Sequence, residues 1–410
     1  MKEIFNRNRI EYLIVLCCTC SFIGFVCSRA MISIGMIALV VLAFITLNPL
    51  EILRRYVLRK ELWVLSLFFL LVLFSGFYSE DKQAYAGWLR IKLPFLFLPV
   101  AFAAFPVLGK RSVTLILYSF IIIVSLSAMA VLVNYYLHFA EINEGMLRGN
   151  AIPMPFSHIR YTLMLAFAFF CSWYLLESKS VVKYANEKYV LIALLAFLFI
   201  GLHILSVRSS LVALYLGVAL LLVRMVVINK QWKSGLLALV FLVAVPYLAY
   251  LLVPSLHNKI SYMRYDVNEY LNGNINQNSD AGRLVSWKVG LAIWKQNKLL
   301  GAGAGDIRSE TEKVYIEQFP QVPKENRKVP HNQFIWVMAG SGVIGLLLFL
   351  VAFFIPYLTN GYYKQWLIVL LGIIIFSSFF TEDTFEEQIG TGFYLIFLLV
   401  FMNYFGVADE

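Results

Sequence analysis

Residues 113–135 read VTLILYSFIIIVSLSAMAVLVNY, an apolar run without a single Asp, Glu, Lys, Arg or His. Its length matches the ~20 residues that an α-helix needs to cross ~30 Å of hydrocarbon. Apolar and polar residues do not alternate along it, so it reads as a helix and not as a barrel strand. In lipid a helix has the further advantage of satisfying its own backbone polar groups. Similar runs recur on both sides and predict twelve spans, near 10–28, 31–48, 62–78, 89–107, 113–135, 161–177, 189–206, 210–228, 235–253, 333–357, 366–380 and 389–405. The expected fold class is therefore all-α, a polytopic membrane protein with about 12 transmembrane helices. Composition agrees: the 410 residues are 60% hydrophobic and only 14% charged, with mean hydropathy +0.76, which excludes an ordinary soluble globular chain. Arg90, Lys92 and Pro94 stand at the start of the fourth span and predict that it begins in the interface or tilts, and the short eleventh span reads as partly re-entrant.

Charge placement sets the orientation, because Lys and Arg accumulate in short cytoplasmic loops. With both termini cytoplasmic, the inner segments carry Arg7, Arg9, Arg54, Arg55, Arg59, Lys60, Lys110, Arg111, Lys188, Arg224 and Lys364 among others. The short outer segments carry only Arg29, Lys82, Arg90, Lys92, Arg148, Arg160 and Arg208. A long outer loop then runs from Pro254 to His331, with a shorter one near 136–160. The basic N-terminus resembles a signal peptide, but the further spans and the lack of a small-residue cleavage site predict an uncleaved first helix. One membrane domain, 1–410, with 254–331 as its insert, is the expected organisation. No internal repeat and no nucleic-acid module is recognisable.

All five cysteines (Cys17, Cys18, Cys20, Cys27 and Cys171) fall in predicted spans, so no disulfide framework is available to the loop. The CxxC spacing of Cys17 and Cys20 lacks His or acidic neighbours and reads as helix packing, not zinc or redox chemistry. Within the loop, 262–271 and 281–296 have helical apolar spacing, the second through Leu284, Trp287, Leu291 and Trp294, with a Gly/Asn-rich break between them. Tryptophans of this kind suit the headgroup region. The loop's eleven basic residues against eight acidic ones suit anionic headgroups or phosphorylated substrates, and equally a solvated surface.

Five residues stand out as candidates for chemistry. Arg208 lies in Ser206-Val207-Arg208-Ser209-Ser210, a minimal break between two spans, where it either snorkels or meets a buried anion. Arg160 and His158 sit at the mouth of the sixth span in the same fashion. Arg283 opens the second loop helix, either as a surface arginine or as a planar fork for phosphate. His331 closes the loop behind Pro330, as a structural residue or as a general base. Gly301-Ala302-Gly303-Ala304-Gly305 offers backbone N–H groups to a phosphate but lacks the spacing of a P-loop. The acidic patch at 381–387 reads as a solvated outer loop in preference to a metal site.

The order of Ser206-Val207-Arg208-Ser209-Ser210, then Gly282-Arg283-Leu284-Val285-Ser286-Trp287, the glycine-rich turn and finally His331-Asn332-Gln333-Phe334 before Gly340-Ser341-Gly342 resembles the O-antigen ligase and polymerase superfamily. The likeness is carried by about residues 200–400 and is architectural before that. It implies a GT-C-like glycosyltransferase of the bacterial inner membrane, working on the periplasmic side with an undecaprenyl-diphosphate-linked glycan as donor. A ligase transfers that glycan to a lipid A core acceptor, and a polymerase transfers it to another lipid-linked unit. Residue by residue, His331 matches the family's base, and Arg208 and Arg283 match the arginines that engage the diphosphate; Arg160 and His158 are secondary candidates. The implied reaction is inverting and needs no metal or other cofactor. The single loop-terminal His331-Asn332 favours the ligase. A protein O-glycan ligase, and outside enzymes a glycolipid flippase or transporter, are the competing readings; mid-membrane ionisable groups and repeated halves, which transporters show, are not evident.

Overall fold

The computed structural model describes residues 6–178, 186–228, 230–272 and 279–406, and every regular element among them is a helix. In chain order these are α1 (Arg7–Cys27), α2 (Arg29–Thr46), α3 (Pro49–Leu58), α4 (Lys60–Trp63), α5 (Leu67–Ser75), α6 (Lys82–Ala104), α7 (Lys110–Leu137), α8 (Phe139–Leu147), α9 (His158–Glu177), α10 (Glu187–Leu205), α11 (Arg208–Val223), α12 (Trp232–Leu252), α13 (Pro254–Leu271), α14 (Ser279–Gln296), α15 (Ile307–Gln318), α16 (Gln333–Leu358), α17 (Trp366–Ser378) and α18 (Gln388–Phe405). Among the described residues, nine helices are long and apolar enough to cross a membrane, and the count is ten if the pair α12–α13, bent by 90° between Leu252 and Pro254, is taken as one broken span. Two of the twelve expected spans are shorter than foreseen. The passage at 62–78 is interrupted by a 3-10 turn at Val64–Ser66, and α17 has only 13 residues. The chain is a multi-pass membrane protein.

Contacts sort the helix ends into two groups. At one end the start of α1, the α6–α7 turn and the end of α18 meet: Arg7 donates to Val107 O at 2.8 Å, Glu11 accepts from Gly109 N at 2.9 Å, and Leu108 N donates to Asn403 at 2.8 Å. At the other end the starts of α2, α9, α11, α16 and α18 converge with the ends of α10 and α17. The segment 254–331, carrying α13, α14 and α15, lies across this second end, and α8 of the shorter loop packs beside α13, with Tyr262 against Gly149.

The loop helices differ from the expected pattern in which face they bury. Ala281, Val285, Val289 and Ile293 form the buried stripe of α14, each at most 1% exposed, and the Leu284–Trp294 stripe is its half-buried flank. Both stripes have helical spacing, and the smaller β-branched residues win the closely packed side facing α15 and α16. Trp287 is half-buried and donates from Nε1 to His331 O at 3.0 Å.

Glycines join the loop to the bundle. Gly342 breaks α16 with φ +63°, which leaves Ala339 O and Gly340 O to accept from Ala302 N (2.8 Å) and Gly303 N (3.0 Å). Gly303 has φ +98°, and a Cβ on it would lie 2.5 Å from Ser79 Oγ. The remaining N–H groups of this turn are also taken, Ala304 N by Ser75 Oγ and Gly305 N by Ser79 Oγ. The glycine-rich turn is thus a clamp on α5 and α16, with no donor left for a phosphate.

The acidic patch at 381–387 is buried, contrary to its reading as a solvated loop. Phe385 is 0% exposed and inserts between Phe68, Phe95, Phe379 and Tyr394, with ring centroids 5.0–5.2 Å away. Glu386 follows it inward, meeting Lys92 Nζ at 2.7 Å and Gln333 Nε2 at 2.8 Å. Lys92, expected near the interface at the start of its span, is 4% exposed and also donates to Phe385 O at 2.6 Å. Removing one partner of such a pair leaves a buried charge without compensation. Lys92→Met is therefore expected to destabilise the protein by about 3–5 kcal/mol, and a second change, Glu386→Gln, to recover most of it; thermal unfolding in one detergent checks both. Gly303→Ala is expected to cost about 1–3 kcal/mol in the same assay, through its φ and its clash with Ser79.

Candidate functional site

Where the second group of helix ends converges, a cavity of about 1430 Å³ opens. Its lining includes all five candidates of the sequence analysis: His158, Arg160, Arg208, Arg283 and His331. They reach it from four separate parts of the chain. His158 and Arg160 lie in the first turn of α9, and Arg208 begins α11. Between α10 and α11, Ser206 takes a left-handed conformation at φ 56°, held by its hydroxyl on His203 O and Ser255 Oγ, both at 2.8 Å. That turn is what places Arg208 at the rim.

His331 precedes α16 and is positioned by its neighbours. Asn332 caps α16, accepting from Phe334 N at 3.0 Å and Ile335 N at 3.1 Å, and ties back to Phe380 O. His331 N donates to Ser286 Oγ at 3.2 Å. On the ring, Nδ1 is buried without a hydrogen-bond partner and faces Asp383 Oδ1 at 3.8 Å, a Coulombic contact longer than a hydrogen bond. The side chain is nevertheless 27% exposed, so the rest of the imidazole opens on the cavity.

The arginines are not free cations. Arg208 grips Asp280 with both carboxylate oxygens, at 2.6 and 2.7 Å. Arg283 sits 3.5 Å from Asp280 and 3.7 Å from Glu382. Arg160 is 5% exposed and paired with three carboxylates: Asp383 at 3.1 Å, Glu387 at 3.2 Å and Glu382 at 3.5 Å. It fastens the acidic loop to α9, while Glu387 also reaches Arg29 of α2 at 3.2 Å. Burial pushes the Glu382 carboxyl above the usual range, against the pull of Arg160, His331 and Arg283.

The cavity has two chemically different zones. Charged groups crowd its loop end, whereas Val212 and Leu216 of α11, Phe353 and Phe354 of α16, and Ile373 and Phe376 of α17 line an apolar part between helices. Such a shape fits an amphiphile with an anionic head and a hydrocarbon tail. His331, Glu382 and Asp383 could in principle hold a cation, their ligand atoms lying within 4.8 Å of one another. Two guanidinium groups already occupy those carboxylates, which works against a metal.

Several members of the site escaped the sequence reading. Lys259 of α13, Lys328 just before His331, Asp280, Glu382 and Glu387 also line the cavity, and Asp383 backs His331. Asp280 could have been found as the i−3 partner of Arg283, and Phe385 within the acidic patch was the signal that this loop turns inward.

Residues 192–350, from α10 into α16, match the family model described as O-antigen ligase. No curated protein matches the chain closely enough to count as a relative. The matched segment contains Arg208, Lys259, Asp280, Arg283, Lys328 and His331, whereas Arg160 and the acidic loop lie outside it. Over this segment the chain is similar to the O-antigen ligase family.

Proposed function

We propose that this protein is a glycosyltransferase that moves a glycan from undecaprenyl diphosphate to a lipid A core acceptor at the periplasmic face of the bacterial inner membrane. The observation that carries the reading is the two-zone cavity, in which Arg208, Arg283 and His331 meet at the polar end of an apolar groove. A polyprenyl tail fits the groove, and its diphosphate then falls among the cations. The family match of the segment holding these residues supports the same class of lipid-linked substrate.

In the proposed reaction an acceptor hydroxyl attacks the anomeric carbon and the bond from that carbon to the phosphate oxygen breaks. The hydroxyl proton passes to the His331 imidazole, and the electron pair leaves with the lipid diphosphate. Attack opposite the leaving group inverts the anomeric configuration. Asp383, facing Nδ1, stabilises the imidazolium that forms. Arg208 and Arg283 place positive charge beside the departing diphosphate, where scarce water leaves that charge poorly screened. No metal enters this scheme, because cationic side chains lining the cavity supply the electrophilic charge.

His331→Ala and Arg208→Ala, inserted normally, are each expected to lower transfer from a polyprenyl-diphosphate glycan by roughly 10² to 10³ in a membrane assay; undiminished transfer would remove both from the chemistry. Chelation with EDTA is expected to leave the rate unchanged, and a loss restored by a divalent cation would instead make His331, Glu382 and Asp383 a metal site. Deleting the gene should leave polymer on the lipid carrier and a bare lipid A core. A core bearing a single repeat unit would point to polymerase activity, and movement of the donor across vesicles without transfer would point to a transporter.

A further inference from the structure

The charge of the site is distributed in an unexpected way. Four guanidinium groups (Arg29, Arg160, Arg208 and Arg283) stand in one ion-pair network against four carboxylates (Asp280, Glu382, Asp383 and Glu387), so this network is neutral as a whole. Two further cations line the same cavity, Lys259 and Lys328. Among the described residues neither ammonium has an ion-pair partner, and both are only partly exposed. Asp266, on the same helix as Lys259, accepts through Oδ2 from the backbone N–H groups of Asp280 (2.9 Å) and Ala281 (3.1 Å) and leaves Oδ1 without a hydrogen bond.

Their positions bracket the arginines. Lys259 lies within electrostatic reach of Arg208 and Arg283 and of the carboxylates of Asp280 and Asp266, and Lys328 within reach of Arg283 and Glu382. Lys328 also lies over the start of α14, its Nζ 3.9 Å from where a Cβ on Gly282 would be. The two lysines come from separate elements, α13 and the extended segment before His331, so they approach the same space from two sides. Desolvation, with the arginine charges, weighs against the two half-buried ammonium groups more than these carboxylates favour them. An anion entering between them would recover that cost.

We propose that Lys259 and Lys328 are direct ligands of the donor's diphosphate, supplying the two positive charges that the arginine–carboxylate network leaves unmatched. This rests on the donor proposed above. A diphosphate bridging a sugar and a lipid carries two negative charges, which two lysines balance; a lipid monophosphate joined to a sugar carries one and needs only one of them. Arg208 and Arg283 then shape the pocket and orient the leaving group, with Asp280 as their fixed counter-ion. The lysines thereby become determinants of donor class as well as of affinity.

The test uses the full-length protein in nanodiscs with Lys259→Met, Lys328→Met, the double variant and the two Lys→Arg variants; Met keeps the aliphatic stem and so limits packing losses. Each Met change is expected to raise KM for a polyprenyl-diphosphate glycan by roughly 10- to 100-fold, the range for losing a hydrogen bond to a charged group, with a smaller effect on kcat. Inhibition by inorganic pyrophosphate should weaken in parallel, and Lys→Arg should restore most of both. Wild-type KM and pyrophosphate inhibition in the double variant would overturn the proposal, as would Met variants that lower kcat alone. Should a Met variant fail to fold, the corresponding Arg variant carries the test: loss of pyrophosphate inhibition in a folded Arg variant would count against charge recognition. If the wild-type protein neither binds nor uses the lipid diphosphate, the functional reading fails first, an outcome distinct from active variants with unchanged KM.

Discussion

The buried ion network around residues 382–387 is the constraint on which the candidate site depends. Arg160 from α9, Lys92 from α6 and Arg29 from α2 all take their anions from this short loop, and Arg283 from α14 joins through Glu382. Burying Lys92 or Arg160 singly would cost several kcal/mol, so neither is independent of the carboxylates of this loop. Phe385, wedged among aromatic rings, holds the loop at the depth where its carboxylates can be met. The loop thereby carries Asp383 to the buried side of the His331 ring.

A second set of contacts brings the loop helices to the same place. Asp280 takes Arg208 across 72 residues of sequence, and Asp266 caps the start of α14, so that α11, α13 and α14 share one carboxylate-centred joint. Behind it the glycine turn at 301–305 grips the broken α16, and Asn332 sets the direction in which α16 leaves. Polar groups that would be unsatisfied at helix ends are thus used to assemble the cavity mouth. The apolar half of the cavity needs no such devices, since α11, α16 and α17 line it with ordinary span residues.

The positions of the unmatched charges give the site its chemical character. The arginines are paired with carboxylates in a fixed frame, whereas Lys259 and Lys328 line the cavity without an ion-pair partner among the described residues. Rigid frame and unmatched charge are separable roles, and residue type follows role: the planar, always-charged guanidinium suits multiple fixed partners, and the flexible ammonium suits a ligand that comes and goes.

How much was legible in the chain differs from residue to residue. The helical spans, their alternation and the charged end residues follow from the cost of exposing backbone and charge to hydrocarbon, which is local and acts on consecutive residues. Arg208 and His331 stood out for the same reason, as ionisable groups at the edges of apolar sequence, whereas Arg283 was singled out by its place at the start of a loop helix and by the family resemblance. The acidic loop was misread because its burial depends on Lys92 and Arg160, hundreds of residues away, and no local pattern encodes a distant counter-ion. The broken passage at Lys60–Ser75 and the 90° bend after α12 likewise depend on what packs against them. A multi-pass helical protein with a polar insert is written into the order of residues, because lipid acts on each span alone. Which of its charges neutralise one another and which face the cavity emerges with folding, because ion pairing depends on distance in space and not on order along the chain.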